Sequence, residues 1–171
     1  MNDGQFISDV QKFVGLAVSV SALRRQGPGV IYAIQEYLGD AFSNWLEGKT
    51  SELVRTRGVK WGAARKALNL FLRDCLYNKY LSEKYDLGNL EAWMEMPVDS
   101  VVAGQLKKDA GRGRLPVWHG LKELTKENSE KFQTHAREMA ARRNFARVHL
   151  DVGMWINNRV KRPTIRSTPA R

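Results

Sequence analysis

The stretch from Arg57 to Ser100, RGVKWGAARKALNLFLRDCLYNKYLSEKYDLGNLEAWMEMPVDS, contains the two segments around which the rest of the chain is organised. A glycine-containing turn leads into a long predicted helix with Lys66 near its start, because apolar residues recur there every three or four positions. Pro97 ends the next segment, and Asp99 stands where the N-cap of another helix is expected. The sequence therefore predicts an amine and a carboxylate at two helix starts, 33 positions apart.

Helical periodicity runs through most of the chain and indicates an all-α fold. It predicts helices over residues 5–23, 30–38, a third element around Phe42 and Trp45 after Gly39–Asp40, then 62–84, 100–106 and 127–147, with a helical pattern continuing to 158. A short helical piece is expected within 85–98 and another at 116–124. No segment alternates as a strand does. We expect one compact multi-helix domain at residues 1–158 and a flexible basic tail at 159–171.

The predicted helix at 62–84 carries apolar residues on two faces. One face forms an expected core stripe of Ala64, Leu68, Phe71 and Cys75, with Leu72 and Leu76 as further candidates. The opposite face carries Lys66 with Asn69, Leu70, Arg73 and Tyr77. A lysine on a helix is most often solvated. Because Leu70 and Tyr77 share its face, we expect Lys66 to line a cleft.

The positive charge of the chain is concentrated in its last third. The net charge is +10, yet residues 1–106 hold 12 Lys and Arg against 12 Asp and Glu, whereas residues 107–171 hold 16 against 6. A local excess of this kind favours a surface that contacts nucleic-acid phosphates. The candidates are Lys107, Lys108, Arg112 and Arg114 in a glycine-containing loop, and Arg137, Arg142, Arg143 and Arg147 on the helix at 127–147. A solvated connector is the alternative interpretation of the loop.

Other residue patterns remove several classes of protein. Cys75 is the only cysteine, which excludes a disulfide framework and fits a reducing cytoplasm. The three histidines lack metal-ligand spacing, so neither a metal nor another cofactor is expected. The motifs of P-loop nucleotide triphosphatases and serine hydrolases do not occur. The apolar stretch 13–23 is too short to span a bilayer, so a core helix and no membrane association are expected.

Two segments resemble the helix-hairpin-helix DNA glycosylases. GAARKALN at 62–69 is similar to the segment that closes the hairpin in that superfamily, and PVDSVVAGQL at 97–106 is similar to its Pro-Val-Asp segment. The spacing between them resembles the archaeal-type 8-oxoguanine DNA glycosylase/AP lyase branch. The resemblance covers about residues 55–108 and 145–157. It implies a helical fold of that type, Lys66 as nucleophile, Asp99 as its assistant, and a monomer acting on DNA in a prokaryotic nucleoid.

A third segment, HLDVGMW at 149–155, resembles the part of the last helix that holds the oxidised base in that branch. Asp151 and Trp155 lie one helical turn apart, so a carboxylate could accept a hydrogen bond from the base while the indole stacks on it. A core tryptophan beside a surface aspartate is the alternative. Lys60–Trp61 departs from the family pattern, which makes Lys60 a second candidate for the reactive amine. We also expect Lys60 and Arg65 to contact DNA.

The resulting hypothesis is excision of a damaged base from DNA, with 8-oxoguanine the first candidate. The protein would extrude one nucleotide, Lys66 would attack the sugar C1′ to form a Schiff base, and β-elimination would nick the strand. One alternative is a non-catalytic helical DNA- or RNA-binding protein in which Lys66 and Asp99 are structural. Another is a protein-interaction module with a basic tail.

Overall fold

The computed structural model describes residues 28–160, with side chains at 38–158. Within that range the helices are α1 (Pro28–Arg57), α2 (Trp61–Tyr77), α3 (Lys79–Tyr85), α4 (Ser100–Ala110), α5 (Lys126–Ala141) and α6 (Leu150–Val160). Short 3₁₀ helices span Leu87–Leu90, Leu121–Glu123 and Arg147–His149. No strand occurs between residues 28 and 160, so the all-α prediction is confirmed for this part of the chain. The predicted helix at 5–23 and most of the predicted tail lie outside it.

The core consists of two apolar clusters that meet along the segment 94–98. One joins α1 and α2 with the 3₁₀ helices that follow, through Phe42, Leu46, Leu68, Leu72, Leu87, Leu90, Met94 and Val148. The other joins α4, α5 and α6, through Met96, Val98, Val102, Ala103, Leu106, Leu124, Phe132, Ala136, Met139, Ala140, Leu150 and Met154. Because Met94 and Met96 belong to different clusters, the chain passes from one to the other immediately before Asp99.

Helix α1 is continuous where the sequence predicted two helices separated at Gly39–Asp40. That prediction was wrong because Gly39 is helical and does not form a turn. A Cβ atom at Gly39 would lie 3.4 Å from Cδ1 of Trp93, which is an ordinary van der Waals distance, so α1 passes beside the indole at this point. Tertiary packing of the helix offsets the cost of a glycine in its interior, which is about 1 kcal/mol relative to alanine.

Helices α1 and α2 form a helical hairpin with a three-residue connection, residues 58–60. Gly58 adopts φ 64°, a left-handed conformation that is common after a helix end. At the start of α2, a Cβ on Gly62 would meet the carbonyl oxygen of Leu121 and lie 2.7 Å from Cβ of Leu124. Gly62 therefore allows the first turn of α2 to lie directly against the 3₁₀ helix at Leu121–Glu123.

The predicted single helix at 62–84 is two helices. Asn78 has extended backbone angles (φ −78°, ψ 109°), and its side chain accepts a hydrogen bond from the Leu81 amide as the N-cap of α3. The predicted core stripe is correct at Ala64, at Leu68 and at the further candidate Leu72, whereas Phe71 is 52 % exposed. Helix α5 ends at Ala141 and not near 147, and Asn144 follows in a left-handed conformation.

Candidate active site

A cleft of about 490 Å³ lies between α2, the start of α4 and α6. Its lining residues lie on elements that pack into both core clusters, because α2 contributes to one and α4 and α6 contribute to the other. Most of the wall is apolar, and the charged groups within it are two cations and two carboxylates. The lining consists of Lys66, Leu70, Arg73, Tyr77, Pro97, Asp99, Asp151, Val152, Trp155 and Ile156.

Lys66 and Asp99 meet in this cleft. The Lys66 Nζ lies 3.1 Å from Oδ2 of Asp99, and their side chains are 23 % and 10 % exposed. Asp99 is the N-cap of α4, and its Oδ1 accepts hydrogen bonds from the amides of Val101 and Val102, each at 3.0 Å. The predicted capping role of Asp99 is therefore confirmed, and the amine and carboxylate predicted at two helix starts lie in contact. Capping fixes one carboxylate oxygen and leaves the other facing the amine.

Asp151 and Trp155 lie in the same cleft, on the first two turns of α6. The indole Nε1 of Trp155 donates a hydrogen bond of 3.2 Å to Oδ2 of Asp99, and its side of α6 lines the cleft. Asp151 is 2 % exposed, and its Oδ2 accepts a hydrogen bond from Arg73. Its Oδ1 is buried and has no hydrogen-bond partner among the described residues. The structure thus groups all four residues that the sequence assigned to catalysis and base recognition.

Burial raises the pKa of Asp151 above its ordinary value of 3.8, although the positive charge and hydrogen bond of Arg73 and a main-chain hydrogen bond from Val152 oppose that rise. The cause is the loss of water around the carboxylate. Asp151 is consequently a buried carboxylate whose Oδ1 lacks a side-chain partner among the described residues.

At the Tyr77 end of the cleft, a chain of hydrogen bonds joins three side chains. The Tyr77 hydroxyl lies 2.8 Å from Nδ1 of His149, and Nε2 of His149 lies 2.7 Å from Oε1 of Glu91. The rings of Tyr77 and His149 are stacked, with centroids 5.5 Å apart. Sequence reasoning placed Arg73 and Tyr77 on the face of Lys66, but it missed the partners Asp151 and His149. No sequence signal could have found these pairs, because their members are 78 and 72 positions apart.

Arg65 is not available to contact DNA, so that prediction was wrong. The residue is 6 % exposed, and its guanidinium donates two hydrogen bonds to the carboxylate of Glu95, at 2.8 and 2.9 Å. It also bonds Thr50 and forms an ion pair with Glu47. One position along a helix is a rotation of about 100°. Arg65 therefore points towards α1 and the segment around 95, while Lys66 points into the cleft.

Arg147 is also buried, which removes it from the predicted nucleic-acid face. It is 7 % exposed, and its guanidinium donates hydrogen bonds to the main-chain oxygens of Met94 and Trp93. Burial lowers the pKa of Arg147 to about 10, so the side chain is still charged at neutral pH. Its role is to hold the segment before Asp99 against the start of α6.

The other predicted phosphate-contacting residues lie on the surface, away from the cleft. Lys60 is exposed at the N-cap of α2, and Lys107 and Lys108 occupy the last turn of α4. Arg112 and Arg114 follow in an exposed loop in which Gly111 and Gly113 have positive φ. Because α4 has 11 residues, this loop is separated from Asp99 by about 16 Å of helix. Arg137, Arg142 and Arg143 are exposed at α5 and its C-terminal end.

A larger groove of about 860 Å³ lies between the end of α4 and α5. Asp109 accepts hydrogen bonds there from His135 (2.9 Å) and Arg142 (2.6 Å). Arg114 and Lys131 also line it, together with Glu127, Glu130 and Glu138. Four carboxylates therefore face three Lys or Arg side chains and His135 in this groove, which is more polar than the smaller cleft.

Comparisons with protein-family models, with curated proteins and with solved structures find no match to this chain. Between residues 28 and 160, no helix combines the length and the apolar character needed to cross a membrane. The same part of the chain holds no group of three or more His, Cys, Asp or Glu side chains placed to bind a metal ion.

Proposed function

We propose that this protein is a DNA glycosylase with AP lyase activity, in which Lys66 is the nucleophile and Asp99 its carboxylate partner. The observation that carries the proposal is the 3.1 Å contact between Lys66 Nζ and Asp99 Oδ2 in an open cleft. These two groups come from two helix starts 33 residues apart, as the resemblance to helix-hairpin-helix glycosylases implies.

The proposed reaction uses the amine and the carboxylate in sequence. The free amine of Lys66 attacks C1′ of an extruded nucleotide, the bond from C1′ to the base breaks, and its electron pair leaves with the base, which takes up a proton. The Asp99 carboxylate stabilises the positive charge that develops on the sugar. Loss of a further proton from the attached nitrogen lets its electron pair form the C1′=N bond while the C1′–O4′ bond breaks and O4′ takes up a proton, which opens the sugar ring and gives the protonated Schiff base. Removal of a proton from C2′ then expels the 3′ phosphate.

Asp151 and Trp155 favour an oxidised purine as substrate. Oxidation of guanine at C8 places a hydrogen on N7, where guanine has only an acceptor. Oδ1 of Asp151 is a buried acceptor without a partner among the described residues, which suits that new N–H donor. The exposed part of the Trp155 indole and the apolar wall around Leu70 suit a flat base. This makes 8-oxoguanine the first candidate for the excised base.

The surface cations suit contacts with the DNA backbone on either side of the extruded nucleotide. Lys60 lies at the start of the same helix as Lys66, whereas Lys107 and Lys108 lie in the last turn of α4, and Arg112 and Arg114 follow that helix at about 16 Å from Asp99. Phosphates along one strand are separated by about 3.4 Å of helix axis, so this distance corresponds to roughly five nucleotides.

The test is trapping of the covalent intermediate with borohydride on duplexes that each contain one lesion. The full chain should form an adduct with the lesion strand and nick that strand, most rapidly when the lesion is 8-oxoguanine. Lys66→Gln should abolish the adduct while duplex binding remains. Lys60→Gln is the matched control, since it removes an exposed amine at the start of the same helix. An adduct that survives in Lys66→Gln but disappears in Lys60→Gln would transfer the nucleophile to Lys60.

A non-catalytic DNA- or RNA-binding protein is the second candidate. The observation in its favour is that Lys66 and Asp99 form a well-aligned ion pair, which a structural role alone would explain. Both candidates predict salt-dependent binding through surface cations. Only the glycosylase predicts an adduct, so the absence of any adduct and any nick across the lesion panel would favour this second function.

A further inference from the structure

The Asp99 carboxylate accepts hydrogen bonds from four donors. Oδ1 accepts from the main-chain amides of Val101 and Val102, and Oδ2 accepts from Lys66 Nζ (3.1 Å) and Trp155 Nε1 (3.2 Å). An ionised carboxylate offers about four lone-pair sites, so its capacity as an acceptor is filled. The orientation of this carboxylate is therefore determined by its neighbours.

These four donors differ in what happens to them during the proposed reaction. The two amides belong to the first turn of α4, and they hold Oδ1 only. Lys66 must move from Oδ2 towards the sugar carbon when it acts as the nucleophile. Among the described residues, the indole N–H of Trp155 is the remaining hydrogen-bond donor on the oxygen that faces the cleft.

We infer that Trp155 is a positioning residue that acts through its indole N–H on Asp99, in addition to any stacking of its ring on a base. The inference rests on the proposed glycosylase function and assigns a second role to a residue of that site. Helix α6 packs against α4, so the indole and the carboxylate are held on neighbouring elements. Trp155 is 38 % exposed, which leaves part of its ring facing the cleft while Nε1 is engaged with Asp99.

The inference predicts that the ring and the N–H contribute to different steps. Trp155→Phe keeps an aromatic ring and removes the donor, whereas Trp155→Leu removes both. We expect Trp155→Phe to bind a lesion duplex within about 2-fold of the wild type, but to form the trapped adduct about 10- to 100-fold more slowly in a single turnover, because a small misplacement of a catalytic group has effects of that size. Trp155→Leu should lose both affinity and rate.

Two kinetic outcomes would overturn the inference. A wild-type rate for Trp155→Phe would show that the N–H is dispensable. An equal loss of affinity and rate in Trp155→Phe would show that the N–H contacts the substrate and not Asp99.

A second measurement is independent of activity. The chain has five tryptophans, and the indole resonance that is missing from the NMR spectrum of Trp155→Phe identifies Trp155. In Asp99→Ser, which keeps a helix-capping side chain, this resonance should move upfield and exchange faster with water. An unchanged resonance would overturn the inference whatever the enzyme does. Failure of the wild type to form any adduct, by contrast, would overturn the proposed function. The hydrogen bond from Trp155 to Asp99 would still be tested by the NMR spectrum.

Discussion

At the scale of single residues, the cleft contains a carboxylate, Asp151, whose burial in charged form costs free energy. Burial raises the pKa of Asp151, and one of its oxygens has no partner in the described part of the chain. A carboxyl whose pKa is raised on folding stabilises the protein fully below its ordinary value of 3.8. That contribution is lost as the pH rises through the higher value of the folded state. The fold therefore disfavours the charged form of Asp151.

Asp151→Asn should accordingly preserve the stability of the fold while it impairs recognition of the damaged base. The amide mimics the uncharged acid and still offers an oxygen to Arg73, which keeps its bond to Asp74. We expect a free energy of unfolding at pH 7 within about 1 kcal/mol of the wild type or above it, measured by denaturant titration. The same variant should lose its preference for 8-oxoguanine in the trapping assay. Destabilisation by more than about 3 kcal/mol would mean that the ion pair with Arg73 outweighs the cost of burial.

The residue-scale predictions from sequence succeeded where a side chain is oriented by its own helix. Helical periodicity placed Lys66 on a face shared with Leu70 and Tyr77, and all three line the cleft. The prediction that Arg65 contacts DNA was wrong because it rested on the charge of the residue, and the sequence does not show that the side chain is buried. Its partner Glu95 is 30 positions away, and a sequence gives no indication of such a pair.

At the scale of helices, Asp99 combines an N-cap with a place in the cleft. Its two oxygens are divided between these roles, since Oδ1 accepts the helix amides and Oδ2 faces Lys66 and Trp155. Replacement by a residue that caps a helix but has no carboxylate should therefore remove the role of Asp99 in the cleft and keep the N-cap.

We expect Asp99→Ser to retain most of the stability and to lose the trapped adduct. Serine and aspartate are similar as N-caps, whereas an alanine at an N-cap costs about 0.5–2 kcal/mol. Asp99→Ala should thus be less stable than Asp99→Ser by about that amount in thermal or denaturant unfolding. Equal stability of the two variants would show that the cap contributes little here, and an adduct in Asp99→Ser would remove the carboxylate from the mechanism.

The first turn of α2 offers a second prediction for helices. Gly62→Ala should destabilise the protein by about 1–3 kcal/mol, because the new Cβ would meet the backbone at Leu121 and the side chain of Leu124. Gly104→Ala is the matched control, since nothing lies within 4 Å of a Cβ on that residue of α4. It should raise stability by up to about 1 kcal/mol through helix propensity. A neutral effect of Gly62→Ala on unfolding would contradict the packing of α2 against Leu121–Glu123.

Helices were easier to predict from sequence than their ends. The apolar repeat predicted the all-α class and where α2 and α4 begin, and Pro97 with the residue type at position 99 predicted the Asp99 cap, all of which depend on residues a few positions apart. The prediction of helix ends failed at Gly39, which continues α1 beside Trp93, and at Asn78, where a side-chain cap starts a new helix. At both positions the backbone conformation differs from the one predicted from the sequence. The spacing of apolar residues carries no information about that difference.

At the scale of the whole molecule, Glu95 joins the parts of the chain that surround the segment before Asp99. Burial alone would raise the pKa of Glu95, but the hydrogen bonds and charge of Arg65, with the charge of Arg147 and a bond from Asn69, hold it below the ordinary value of 4.5. A lowered pKa means that Glu95 stabilises the fold above about pH 4.5, and that this contribution is lost as the pH falls through the folded value.

Glu95→Gln should lower the free energy of unfolding at pH 7 by about 3–5 kcal/mol, because it leaves buried arginines without their countercharge. The difference from the wild type should shrink as the pH is lowered below about 4.5, measured by denaturant titration at a series of pH values. Asp109→Asn is the control, since Asp109 pairs with His135 and Arg142 on the surface and should cost less than about 1 kcal/mol. A pH-independent difference for Glu95→Gln would rule out ionisation as its cause.

The convergence of the four cleft residues is the feature that sequence alone could not supply. Lys66 and Asp99 lie in helices of different core clusters, and Asp151 and Trp155 lie in a third helix more than 50 positions further along. Periodicity places each residue on its own helix but does not say how the helices pack. The expectation that they meet came from the resemblance to glycosylases.

The two core clusters also determine how readily chemical oxidants react with the protein. Met94, Met96, Met139 and Met154 are at most 6 % exposed and are the only methionines between residues 28 and 160. Burial raises the pKa of Cys75, so little of its thiol is present as the reactive thiolate at neutral pH. Peroxide attacks accessible thioethers and thiolates first. Between residues 28 and 160 the fold therefore shields the methionine sulfur atoms from peroxide, and their conversion to sulfoxide would report unfolding.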